Sequence, residues 1–171
     1  MDDNSIVRQI ALFVSLVLLQ VLILNQIFFL GYATPFFYIY FIIKLPVATN
    51  RNLVVLLGFL MGMTIDLFCN TLGVNAAAIT FAAFLRLPIQ KLFFEREDFE
   101  HLKPKLSVLG GSFIKYAVAM ILIHHITLIL IESFSYSDIV TIGLRILFSS
   151  VLTFILLFAV ESLSIKKKIR E

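Results

Sequence analysis

Charge is what this chain has least of. Asp, Glu, Lys and Arg make up only 15% of its 171 residues, against 60% hydrophobic residues and a mean hydropathy of +1.01. A soluble core of this size cannot bury the long apolar runs that result, so composition excludes an ordinary globular domain and points to an integral membrane protein. Cysteine is nearly absent: Cys69 stands alone, which excludes an intrachain disulfide and argues against a thiolate metal site. Catalytic signatures are missing as well, with no Gly-x-Ser-x-Gly elbow, no His-Glu-x-x-His and no Walker glycine loop. Long polar loops, which a membrane acyl or glycosyl transferase needs to hold a head group, are missing too. The chain reads as a non-enzyme without a cofactor or metal. Its formal charge of +3 comes from basic residues that flank apolar segments and form no stripe along a soluble face, which argues against nucleic acid.

What is present is a series of apolar runs, and they predict a single all-α transmembrane domain over 1–171 with six spans: about 10–30, 35–47, 53–70, 74–91, 109–131 and 139–163. The first run is too long for a signal-peptide core and lacks a small-residue cleavage site, so it is expected to stay as a helix. The second is the exception. About a dozen clearly apolar residues rise only about 18 Å as a helix, against a hydrocarbon core of about 30 Å, so this segment is short, distorted or re-entrant, and five spans result if it fails to cross. Arg8, Lys44, Arg51, the basic residues of the 86–108 loop and the tail 164–171 alternate with connections that contain no Lys or Arg. By the positive-inside rule both termini and the central loop are then cytoplasmic. That loop mixes Leu87, Leu92, Phe93, Phe94, Phe99 and Leu102 with five charged residues from Glu95 to Glu100, the pattern of either an interfacial amphipathic helix or a charged surface loop.

Asp66 lies inside an otherwise apolar helix, where a carboxylate costs about 2.5 kcal/mol or more unless it faces the bundle interior and finds a partner. Gly58 and Gly62 precede it at four-residue spacing on the same helix face, a surface that lets another backbone approach closely. Arg145 is the second intramembrane charge. Counted inward from the ends of their spans, both lie about 9 Å deep. Two arrangements follow: an Asp66 to Arg145 bridge between the third and sixth spans, or an Arg145 that snorkels outward while Thr64, Asn70 or Asn75 bonds Asp66. His124 and His125 diverge by about 100° on their helix and are expected to be packed histidines and not ligands of one metal. Lys115, Glu132 and Glu161 lie near span ends and are expected to be solvated. Asn25 and Gln26 are expected to bond across helices.

The run from Gly58 through Gly62 and Asp66, then a short polar turn and Leu72, Gly73, Val74, Asn75 and Ala76 opening the next helix, resembles the MreD family of bacterial rod-shape-determining membrane proteins. The specific match covers about 58–78; Gln20, Asn25, Gly31, Tyr32 and Pro35 resemble the Bacteroidetes-type members. The resemblance implies a non-enzymatic inner-membrane subunit that binds MreC through its transmembrane helix. Through MreC it would act with MreB, RodA and a penicillin-binding protein in peptidoglycan synthesis and cell shape. Gly58, Gly62, Asp66, Gly73 and Asn75 would then form or support the MreC surface, or else pack only the protein's own bundle. An alternative is the substrate-binding S-component of an energy-coupling vitamin transporter, a fold that MreD proteins resemble, with Asp66, Asn70, Asn75 and Arg145 lining an external pocket.

Overall fold

An apolar run in hydrocarbon satisfies its backbone only within itself, and helices dominate here accordingly. The computed structural model describes residues 3–29, 31–95, 104–133 and 138–170, and for 3–5 and 165–170 the backbone alone. Among these residues six α-helices form and no strand: α1 Asp3–Leu22, α2 Ile39–Lys44, α3 Arg51–Cys69, α4 Val74–Phe93, α5 Leu106–Glu132 and α6 Ile139–Arg170. All but α2 are long and apolar enough to cross a membrane. The chain is an all-α helical bundle. The first span, expected over about 10–30, is found as Ile6–Gln26: α1 stops at Leu22 and a single 3-10 turn, Leu24–Gln26, follows.

The second segment is short and distorted, one of the forms expected of it. As a helix α2 has six residues and rises only about 9 Å. Yet the chain crosses the bundle here, because α1 and α3 run parallel. The amide of Asn25, just beyond α1, reaches Cys69 at the end of α3 at 2.9 Å, and the starts of the two helices share a groove between Ile6, Ile10, Leu53 and Leu57. Residues 31–50 must therefore return over the full height. They do so through a non-helical stretch, Thr34 to Tyr38, followed by α2, and every residue from Phe37 to Ile43 is buried.

Non-helical backbone at that depth needs partners from side chains. Gln20 of α1 supplies two, its Oε1 accepting from the Phe37 amide at 2.9 Å and its Nε2 donating to the Pro35 carbonyl at 3.0 Å. Ser149 and Thr153, one turn apart on α6, accept from the amides of Thr34 and Phe36, each at 3.1 Å. The crossing segment is thus the centre of the bundle, held by α1 and α6, with α3, α4 and α5 packed around it.

Residues 86–91, which the expected fourth span and central loop share, belong to α4, as do Leu92 and Phe93; Leu106 to Val108, expected in the loop, belong to α5, which bends at Gly110. The remaining expectation for the loop falls largely on 96–103, outside the described residues.

Candidate functional site

The run from Gly58 to Asn75 forms the α3–α4 hairpin. Asn70 ends α3 in the left-handed region (φ 54°) and Gly73 starts α4 there (φ 79°), so the chain reverses in three residues. Gly73 occupies the N-cap position of α4 and has no side chain to offer its first amides. Asp66 takes that role from the preceding helix. Its Oδ1 accepts from the Asn75 amide at 3.1 Å and its Oδ2 from the Ala76 amide at 2.8 Å. Oδ1 also accepts from the Asn75 side-chain amide at 2.9 Å and from the Thr71 hydroxyl. A carboxylate against the positive end of a helix is stabilised by both the hydrogen bonds and the macrodipole.

The glycines make that approach possible. A Cβ on Gly62 would lie 2.4 Å from Cα of Ala76 and 2.6 Å from its nitrogen, and one on Gly58 would lie 3.1 Å from Cβ of Ala83. Both face α4, so the small-residue face is filled from within the chain. Asp66 and Arg145 do not pair. Arg145 Nη2 lies 2.7 Å from Glu132 and its Nη1 3.4 Å from the Ser133 hydroxyl, at the end of α5. Helical side chains lean toward the N-terminus of their helix, which directs Arg145 outward to the nearer acid, while four donors occupy Asp66. Thr64 bonds the Leu60 carbonyl of its own helix.

From Asp66 a chain of hydrogen bonds runs inward. The Tyr38 hydroxyl donates to Asn75 Oδ1 at 2.8 Å, because the Asn75 amide nitrogen already donates to Asp66, and His124 Nε2 donates to the Tyr38 oxygen at 2.9 Å. His125 is ordered separately: its Nδ1 donates to the Ile121 carbonyl at 2.9 Å and its Nε2 accepts from Thr153 at 3.1 Å. The two histidines are buried groups with different hydrogen-bond partners, and both rings lie against Phe36.

Two buried charges lie where the sequence suggested solvent. Glu161, only 3% exposed, accepts from Lys44 Nζ at 2.8 Å, from the Tyr40 hydroxyl at 2.7 Å and from the Leu106 amide at 3.2 Å. It therefore lies at the start of α5 and is no solvated end. Lys44 also donates to the Pro104 carbonyl at 2.9 Å, a second bond inside the protein. Arg86, 3% exposed, donates to the carbonyls of Leu45 and Pro46 beyond α2 and to the Tyr116 hydroxyl. Its burial had a sequence signal: Ala78, Ala82, Arg86 and Gln90 recur at helical spacing, and all four are buried.

A cavity of about 290 Å³ opens at the Asp66 end. Asn25, Cys69, Thr71, Asn75, Glu132 and Arg145 line it above a floor of Phe36 and Leu128, whereas Asp66 and Asn70 do not. The arrangement offers hydrogen bonds and one ion pair to a small polar molecule. Among the described residues no group of three or more His, Cys, Asp or Glu is placed to hold a metal.

Compared with family models, with curated proteins and with solved structures, the chain matches none.

Proposed function

We propose that this chain is a non-enzymatic subunit of a membrane-embedded assembly, and that the assembly is the bacterial cell-elongation complex to which the MreD resemblance points. Its task is to bind the transmembrane helix of MreC and so support peptidoglycan synthesis. In this reading it sits in the inner membrane with both termini cytoplasmic. The positions of Lys44, Arg51, Arg86, Lys91 and Lys105 support that orientation, because they gather at one end of the bundle.

One observation carries the helix-binding role. The groove between α1 and α3, about 290 Å³, has walls of Ile6, Ile10, Phe13, Leu53 and Leu57 and a floor of Phe41, and no described residue fills it. The glycine face is spent on α4; this groove is an apolar surface open to a partner. A photocrosslinker at Ile10 or Leu57 in native membranes is expected to capture a single-span protein that copurifies with the chain. Only intrachain or lipid adducts, with MreC present, would overturn the reading.

The polar cavity at the Asp66 end favours a second reading, an S-component-like subunit that holds a small molecule. Denaturing mass spectrometry of protein purified from its native membrane distinguishes the two. A stoichiometric small molecule that Arg145→Gln releases supports the second.

A further inference from the structure

A different surface, on the opposite side of α3, combines a cation with an apolar trough. Arg51 and Asn52 lie at its rim in the first turn of α3, Val55, Leu56 and Phe59 line one wall, and Phe84 of α4 lines the other; the trough holds about 500 Å³. From Arg51 to Phe59 the groove descends about 12 Å along the helix. Arg51 is held by its neighbour and not by an acid. Its guanidinium carbon lies 4.1 Å from the centre of the Phe84 ring and its Nη2 3.4 Å from the Phe84 carbonyl, with no carboxylate in ion-pair range among the described residues. The two other cations nearby are spent differently, Lys44 on Glu161 and Arg86 on the carbonyls of Leu45 and Pro46.

We propose that this trough is a binding site for an anionic glycerophospholipid, its phosphate on Arg51 and Asn52 and one acyl chain along Val55, Leu56, Phe59 and Phe84. The inference rests on the membrane-embedded reading and not on the MreC reading, and it uses a different face of α3. Three features select this occupant. The charge that no described acid pairs is a guanidinium, whose fork matches a phosphate, and stacking on Phe84 fixes the plane in which it presents its donors. The adjacent first turn of α3 carries the positive end of a helix dipole. Below the rim the wall turns apolar within one helical turn, which follows the polarity of a lipid from head group to chain. A transmembrane helix, or a second copy of this chain, would have to bury an acid against Arg51 at that rim.

The test is native mass spectrometry of the purified full chain, titrated with phosphatidylglycerol or with phosphatidylcholine of identical acyl chains. Phosphatidylglycerol is expected to bind about fivefold more tightly, the effect of one surface arginine. Arg51→Gln is expected to reduce it to the phosphatidylcholine level, while Arg51→Lys keeps part of the preference. Val55→Trp, which fills the trough, is expected to weaken both lipids. Arg51 is exposed on the rim, so its variants report on binding even if Val55→Trp fails to fold. Equal binding of the two lipids to the natural chain, or an unchanged preference in Arg51→Gln, overturns the proposal. A photocrosslinker at Phe59 that captures protein in place of lipid in membranes also overturns it.

Discussion

Replacing Gly62 by alanine should break the α3–α4 hairpin at its tightest point. The new Cβ would meet Ala76 Cα at 2.4 Å and the Asn75 carbonyl oxygen at 2.6 Å, where ordinary contacts lie at 3.4–4 Å. Those atoms are backbone, so no side chain can turn away, and the first turn of α4 must retreat by about 1 Å. That retreat carries the Asn75 and Ala76 amides away from the Asp66 carboxylate, which they now reach at 3.1 and 2.8 Å. Loss of a helix cap costs about 0.5–2 kcal/mol and overpacking about 1–3 kcal/mol, so the two together come to about 2–4 kcal/mol once partial relaxation is allowed. At about 2–4 °C per kcal/mol for a chain of this length, Tm in detergent should fall by about 4–16 °C. Gly58→Ala is the internal control. Its Cβ would meet the Ala83 methyl at 3.1 Å and needs only a few tenths of an ångström, so its Tm should fall by less than half as much. Asp66→Asn should cost about 1–3 kcal/mol by turning one acceptor into a donor against an amide. Because Gly62→Ala already disturbs the same cap, the double variant should be less damaged than the sum of the singles, by about 1 kcal/mol. Thermal unfolding of the natural chain and the four variants in one detergent decides it: an undiminished Tm for Gly62→Ala, or strict additivity with Asp66→Asn, refutes the cap.

Further variants probe the other buried groups. Glu161→Gln should destabilise by about 3–5 kcal/mol, because it leaves Lys44 without its charge partner, and adding Lys44→Met should recover part of the loss in the same thermal assay. Gln20→Leu leaves the Phe37 amide and the Pro35 carbonyl unpaired in the bundle and should lower stability by about 2–3 kcal/mol, with faster exchange of the Phe37 amide as the local readout. Exchanging the charges of Asp66 and Arg145 should fail to rescue either single variant, since the two do not touch. Glu132→Gln, which breaks a half-exposed pair, should change stability by less than about 1 kcal/mol.

The five long helices were legible because each rests on a local property, an apolar run longer than a soluble helix needs. The path of residues 34–38 was not. The groups that make it possible, Gln20, Ser149 and Thr153, lie 15 to 117 residues away in the chain, and nothing local announces that a serine and a threonine on α6 serve as partners for a distant backbone. Asp66 and its glycines were legible as one unit, and the geometry shows why: spacing places all three on the face that meets α4. Whether that face met a foreign helix or the chain's own depended on the reversal at Asn70 and Gly73, and the sharpness of that turn is a tertiary fact. Glu161 was misread because distance from the end of an apolar run is a poor guide to burial when another segment, here α2 and the start of α5, covers the end.

The buried charges obey a common rule, and it bears on how such a bundle tolerates them. Asp66 rests on the first amides of α4, Glu161 on the first amide of α5, and Arg86 on the carbonyls that follow α2, each charge against the helix end of opposite polarity. Helix ends inside a bundle carry unsatisfied amides and carbonyls that would cost energy alone, and a charged side chain costs energy alone. Placed together, each reduces the penalty of the other; Asp66 and Arg86 manage this without a second ionised group, whereas Glu161 also pairs with Lys44. Asp66→Ala should free the α4 amides at Asn75 and Ala76 to exchange faster, and Arg86→Leu should act at the opposite end of the bundle, loosening Leu45 to Val47 while leaving Asn75 and Ala76 protected. Hydrogen exchange resolved to those segments measures both. A uniform loss of protection in either variant would show that these charges support global stability and not the particular helix end that each one touches.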